Sequence, residues 1–200
     1  MTQPEDIPPD RLDRLLDFLQ RAERLKDTLR SGRTAEGRPE SVAAHSWSLC
    51  LLVLLLEDEI AGADLLQLLR LCLVHDLGEA ISGDVPAIHQ TTEDDKSARE
   101  RADLLTLCDG LPEDVTTRLL ALWEEYDRGE TPEAALAKGL DKIETMVQHV
   151  TGTQQPDFDY LWNLGYGVSR TAQTDLLRDL RHRVDAMTRH KAAQPRGGAL

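Results

Sequence analysis

The chain has 200 residues, which is enough for one domain of ordinary size with its own hydrophobic core. Its formal net charge of −13 repels the phosphate backbone, which argues against a nucleic-acid partner. Hydrophobic residues make up 40% of the chain and aromatic residues only 4%; leucine dominates, and runs of β-branched residues are scarce. This composition predicts an all-α fold of helices packed on helices rather than a sheet.

The first half of the chain predicts three helices. Asp10 can cap the first, whose leucines recur at helical spacing as far as the break at Ser31-Gly32. The second follows a loop rich in glycine and arginine. The third runs from about Asp64 to Leu77 and is apolar on most sides, which is typical of a helix at the centre of a fold.

The second half predicts further helices from their start and stop signals. One ends near Gly110, one begins at Pro112, one spans Thr131 to about Val150, and the last runs from about Thr171 to His190. Residues 10–190 are therefore expected to form a single bundle of about seven or eight helices, with no convincing strand. Residues 1–9 are expected to be a loose tail, and residues 191–200 a disordered one.

The sequence also predicts a compartment. The three cysteines, Cys50, Cys72 and Cys108, are far apart and form neither a disulfide framework nor a zinc-knuckle spacing. The N-terminus, MTQPEDIPPD, does not resemble a secretory signal. The longest apolar run, residues 49–56, is too short to cross a bilayer. We expect a protein of the reducing cytoplasm without a membrane partner.

The most informative feature is the pair His75-Asp76 in the last turn of the apolar third helix. A buried carboxylate without a partner is costly, and a metal against the helix end can take a ligand from each residue. His45 and Asp141 lie in apolar helical surroundings as well. Two imidazoles and two carboxylates predict one divalent ion with open positions, among Mn, Co, Fe, Ni and Mg, whereas a closed structural zinc site would more often use cysteine.

Two acids after this pair are candidates for proton transfer. Glu79 shares a helix face with His75 and Asp76 if the helix persists that far, and Asp84 follows in a turn. One carboxylate can position water while another assists the leaving group, so both are predicted to be catalytic. The local sequence is equally consistent with a surface acid and a turn residue.

The ordered set His45, His75-Asp76, Asp141 resembles the H…HD…D signature of the HD-domain superfamily. The segments RPESVAAHS, LVHDLGEAISGDVP, WEEY and LDKIETM resemble more closely the small deoxynucleoside 5′-monophosphatases of that superfamily. The resemblance covers roughly residues 12–187. It implies a helical, often dimeric enzyme that binds one divalent ion and removes the 5′-phosphate from a small nucleotide.

The resemblance also implies an arginine that contacts the substrate phosphate, and Arg30 is the best match, with Arg33 close by. Relatives have a tryptophan in this loop, where this chain has Ser31 and Arg33. That departure leaves the nucleoside preference open, and the extra arginine favours a substrate with more phosphate charge.

Two alternatives stay open at the level of sequence, and a third, a two-metal phosphodiesterase, is disfavoured. A dNTP triphosphohydrolase would need a more cationic pocket, and a non-catalytic nucleotide-binding HD domain would usually lack one of the six site residues. A two-metal phosphodiesterase would need more histidines before Asp141 than His89. His149 lies two helical turns past Asp141, too far to bind the same ion, and has no assigned role. The aromatic residues Phe158 and Trp162 are interpreted as core or interface.

Overall fold

The structure is a computed structural model that describes residues 8–60, 62–85 and 96–194. Its helices and strands, in chain order, are α1 (Pro9–Ala22), β1 (Leu29–Arg33), β2 (Pro39–Ser41), α2 (Val42–Leu55), α3 (Leu65–Val74), α4 (Glu79–Ser82), α5 (Lys96–Leu107), α6 (Glu113–Arg128), α7 (Pro132–Thr151), α8 (Val168–Thr171) and α9 (Asp175–Ala193), with 3-10 turns at Glu23–Lys26 and Tyr160–Leu164. The all-α prediction is confirmed, because helices make up nearly all the regular structure of these ranges. Seven of the described helices have ten or more residues, and α4 and α8 have four each.

Helix α7 lies at the centre of the bundle and packs against α2, α3, α6 and α9. It begins as predicted, since Thr131 Oγ1 accepts a hydrogen bond of 3.2 Å from the Ala134 backbone and Pro132 occupies the first turn. The main core cluster contains fully buried side chains from four of these helices, among them Leu49, Leu68, Leu71, Leu140 and Leu177. This packing holds α7 rigidly between the elements that carry the other site residues.

The prediction of one long first helix, without strands, is wrong. Helix α1 ends at Ala22, and the chain then forms a small antiparallel sheet in which β1 pairs with β2. Gly37, with φ of 79°, closes the turn between the strands by donating to the Thr34 carbonyl. Asp10 is not the cap but a first-turn acid, since the helix already begins at Pro9.

Contacts with the end of α7 explain why this segment is extended. The Gln148 side chain donates to the Arg33 carbonyl at 2.7 Å, and the Thr153 backbone donates to the Thr34 carbonyl at 3.0 Å. A Cβ atom at Gly152 would lie only 1.9 Å from the Arg33 carbonyl oxygen. The Arg33 carbonyl therefore approaches Gly152 closely, which only glycine permits, and this long-range contact fixes β1 against the end of α7. The local spacing of leucines does not reveal such a contact.

The other helix boundaries differ slightly from prediction. Helix α3 ends at Val74, so His75 and Asp76 follow it in a turn rather than lying in its last turn. The C-terminal helical segment is divided into α8 and α9, and α9 extends to Ala193, past the predicted end. The remainder of the two predicted tails, residues 1–7 and 195–200, lies outside the described residues. Within the described ranges, none of the helices combines the length and apolarity that a membrane span requires.

Candidate metal centre and active site

Three of the predicted ligands converge, although they come from separate elements. His45 lies on α2, and His75 and Asp76 follow α3; ligand atoms of all three lie within 4.8 Å of one another. Asp76 Oδ2 is 3.0 Å from His75 Nε2 and 3.9 Å from His45 Nε2. The imidazole ring centroids are 5.5 Å apart. This spacing leaves room for one ion between the three side chains.

Asp141 completes the set from the middle of α7. Its Oδ1 lies 3.3 Å from His45 Nε2. Its Oδ2 accepts hydrogen bonds of 2.9 Å from the Tyr126 hydroxyl and from Lys142 Nζ. Burial alone would raise the pKa of Asp141, but the nearby Lys142 and His45 outweigh this and hold the pKa well below its usual value. Asp141 is therefore an ionised carboxylate that turns one oxygen toward the histidines.

The histidines have the hydrogen bonding expected of metal ligands. His45 Nδ1 contacts Glu144 Oε2 at 2.5 Å, and His75 Nδ1 donates to the Cys72 carbonyl at 2.8 Å. Because both partners are acceptors, each Nδ1 carries the proton and each Nε2 presents a lone pair. Both Nε2 atoms are buried, and neither has a hydrogen-bond partner among the described residues. The residues present fit a divalent cation, which would satisfy both lone pairs.

The electrostatic surroundings of His45 also favour a bound cation. Burial and the nearby Arg30 lower the pKa of His45, but Asp141 and Glu144 raise it overall to about 10. The carboxylates therefore favour positive charge at this imidazole. A proton or a metal ion can supply that charge, and the two compete for the same nitrogen.

A cavity of about 800 Å³ opens beside the cluster, and the two candidate catalytic acids line it. Glu79, the first residue of α4, is buried; burial and the carboxylates of Asp76 and Asp84 raise its pKa to about 9. Burial also raises the pKa of Asp84, against the lowering effect of Arg30. Two carboxyl groups that lie beside the candidate metal ligands, both with raised pKa values, are suited to proton transfer.

The two candidate arginines have different surroundings. Arg30 lines the cavity; its guanidinium lies 3.1 Å from Asp76 Oδ2 and donates to Thr145 Oγ1 at 3.2 Å. Arg33 instead donates to the Gly37 carbonyl at 2.6 Å and is not among the described residues of the cavity lining. This placement does not support the substrate contact expected for Arg33.

Other cavity residues were missed or interpreted differently at the level of sequence. Phe158 and Trp162, interpreted as core or interface, both line the cavity. So does His149, which received no role; its Nδ1 contacts Asn163 Oδ1 at 2.9 Å. Glu144 had a signal that could have found it: it lies three residues after Asp141 on an apolar helix, the spacing at which side chains share a face.

Comparison with known proteins agrees with this geometry. A family model described as HD domain matches residues 22–180, which include every ligand described above. The chain belongs to the HD-domain family. Among solved structures, a predicted metal-dependent phosphohydrolase from Magnetospirillum magnetotacticum MS-1 is 27% identical in sequence and aligns with a TM-score of 0.79, covering 93% of this chain and 96% of that one.

Named relatives within this HD-domain family share about a third of the aligned residues. The 5′-deoxynucleotidase HDDC2 of Bos taurus is 35% identical over 136 residues, which is 67% of this chain and 65% of the relative. The protein of the same name from Xenopus laevis is 35% identical over 137 residues, 67% of each chain. The aligned segment thus spans about two thirds of the length of these relatives.

The contact between Glu144 and His45 leads to a first prediction. In Glu144→Ala the imidazole loses the acceptor that holds its tautomer and orientation, so metal affinity should fall about 10- to 100-fold. Glu144→Gln keeps an acceptor at the same place and should lose less. Chelator competition measures the affinities, and circular dichroism checks that both variants fold. An alanine variant that binds metal as tightly as the unmodified protein would remove Glu144 from the site.

Proposed function

We propose that this chain is a metal-dependent phosphomonoester hydrolase that removes the 5′-phosphate from deoxynucleoside monophosphates. One observation supports the proposal above others: two buried imidazole nitrogens, which lack a hydrogen-bond partner in the described part of the chain, lie beside Asp76 and Asp141 at the edge of a cavity that also holds an arginine and two acids. The activity carried in the names of the Bos taurus and Xenopus laevis relatives supports the same substrate class.

The proposal includes one divalent ion held by His45, His75, Asp76 and Asp141. Two nitrogens and two carboxylates suit Mn, Co, Fe, Ni or Mg, with positions left for water and substrate. When bound, such an ion polarises a phosphoryl oxygen and lowers the pKa of water. The choice among these metals is part of what the experiment below measures.

The protein side chains divide the remaining work. Arg30, which stays charged beside Asp76, binds the non-bridging phosphate oxygens. Hydrolysis adds water to phosphorus and breaks the bond to the 5′ oxygen. Glu79 and Asp84 are positioned to take the proton from the attacking water and return it to that oxygen, so that a nucleoside and inorganic phosphate leave. Phe158 and Trp162 offer apolar surface to the nucleoside.

The test is phosphate release from deoxy- and ribonucleoside mono-, di- and triphosphates, with Mn²⁺, Co²⁺ or Mg²⁺ and an EDTA control. We expect metal-dependent release of one phosphate from deoxynucleoside monophosphates. Glu79→Gln should keep the metal but lose about 10²- to 10⁴-fold in kcat, whereas Asp76→Ala should lose metal and activity together. Release only from triphosphates, as tripolyphosphate or pyrophosphate, would replace the proposal with the triphosphohydrolase alternative.

The two arginines provide a matched pair for the phosphate contact. Arg30→Ala removes a charge-assisted contact and should raise KM for the monophosphate about tenfold or more. Arg33→Ala should leave KM close to that of the unmodified enzyme, since its guanidinium is bound to the Gly37 carbonyl. Steady-state kinetics measure both, with thermal melting as the check on folding. Equal effects of the two substitutions would contradict the assignment of the phosphate to Arg30.

We further propose a cytoplasmic homodimer. The three cysteines are free thiols, which suits a reducing compartment, and cell fractionation tests the cytoplasmic location.

The proposed dimer interface lies on helices α2 and α3. These helices pack on each other and carry exposed leucines; Leu55 is 70% exposed and Leu73 60%. Light scattering should give twice the chain mass of 22.4 kDa. Leu55→Glu should yield the monomer, while Leu16→Glu on α1 should not; a monomeric unmodified protein would end this part of the proposal.

A further inference from the structure

We propose that Lys138, Lys142 and Arg170 form a second anion subsite, which accepts an additional phosphoryl group of a nucleotide whose scissile phosphate lies at the metal centre. The inference rests on the proposed function and adds to it a preference for nucleotides that carry a second phosphate. All three side chains line the same cavity as Asp76 and Asp141.

The three cations are gathered at one corner of that cavity. Lys138 and Lys142 lie one turn apart on α7, on either side of Asp141 in sequence, and Arg170 comes from α8. A Cβ atom at Gly129 would lie 3.0 Å from Lys138 Cδ and 3.2 Å from Arg170 Nη1, so these two side chains border the same point. This corner is formed by the packing of α8 against α7.

Aromatic rings hold both lysines in place. Lys138 Nζ lies 4.7 Å from the Tyr126 ring centroid, and Lys142 Nζ lies 5.2 Å from that of Tyr166. Such contacts orient an ammonium group without neutralising its charge. The rings therefore orient both lysines, and the contact with Tyr126 leaves the charge of Lys138 available to a ligand.

Carboxylates neutralise only part of this cluster. Lys142 Nζ lies 2.9 Å from Asp141 Oδ2. By contrast, in the described part of the chain no carboxylate oxygen comes within 4.0 Å of the charged groups of Lys138 or Arg170. Burial lowers the pKa of Lys138, and the neighbouring positive charge of Arg170 lowers it further, against the raising effect of Asp127 and Asp141. Like charges this close are unfavourable alone and would be stabilised by a bound anion.

Distance from the metal centre favours a second phosphate of the same substrate over an unrelated anion. Lys142 contacts the carboxylate of a predicted metal ligand, and Lys138 lies four residues before it on α7, a helix rise of about 6 Å. A nucleotide with its scissile phosphate at Asp141 can place another phosphoryl group over that interval. The cavity of about 800 Å³ is large enough for such a ligand.

The test measures the binding of three probes to the metal-loaded Glu79→Gln variant, in which hydrolysis is slowed. The probes are deoxyadenosine 5′-monophosphate, deoxyadenosine 5′-diphosphate and deoxyadenosine 3′,5′-bisphosphate. Isothermal titration calorimetry should show about tenfold tighter binding of at least one two-phosphate probe. Adding Lys138→Met and Arg170→Met should abolish that preference and leave the monophosphate affinity within about twofold. Which probe gains affinity identifies where on the nucleotide the second phosphate sits.

A control variant separates a local subsite from overall charge. Lys26→Met with Arg189→Met removes the same two charges from exposed positions outside the cavity lining, and it should keep the preference. Equal loss in both double variants would overturn the subsite. Equal affinity for all three probes would also overturn the subsite. If the protein still hydrolyses the monophosphate in that case, the proposed function stands without the subsite. If the unmodified protein neither binds nor hydrolyses the monophosphate, the proposed function itself fails.

Discussion

The structure depends on the burial of carboxylates beside histidines in the centre of a helical bundle. Asp141 and Glu144 lie on the central helix and are almost fully buried, and both contact His45. Removing one partner from a buried charge pair costs about 3–5 kcal/mol, so none of these groups can be changed without affecting the others. Helix α7 can carry acids in a hydrophobic core because α2, the α3–α4 turn and β1 bring compensating groups to it.

The small sheet follows from the same constraint. Asp76 is largely shielded from solvent against a histidine pair, with its side chain 17% exposed, and it needs a cation that the surrounding apolar helices do not supply. Arg30 provides this cation from β1, where its side chain lies 3.1 Å from the Asp76 carboxylate. A continuous helix through this segment would forgo the close approach of the Arg33 carbonyl to Gly152. The extended segment thus delivers one guanidinium to the centre of an all-α protein.

The sequence predicts which candidate metal ligands lie together better than it predicts their surroundings, for a physical reason. An acid or histidine within apolar helical periodicity is recognisable by itself, so His45, His75, Asp76 and Asp141 could be chosen without a structure. The orientation of an arginine in a loop depends on which distant backbone it meets, so Arg33 could not be separated from Arg30. Aromatic residues pose a similar difficulty, because the sequence around Phe158 is the same whether its side chain faces the core or a cavity.

The distribution of charge connects the fold to its chemistry. A protein with a net charge of −13 repels nucleotides at a distance, so selection of an anionic substrate depends on local positive charge. Inside the cavity Arg30 and Lys142 are each bound to a carboxylate of a candidate metal ligand, which holds them in place. Their remaining donors can meet a phosphate without a large reorganisation on binding. In the proposed function, the acids that would hold the metal therefore also orient the cations that would bind the substrate.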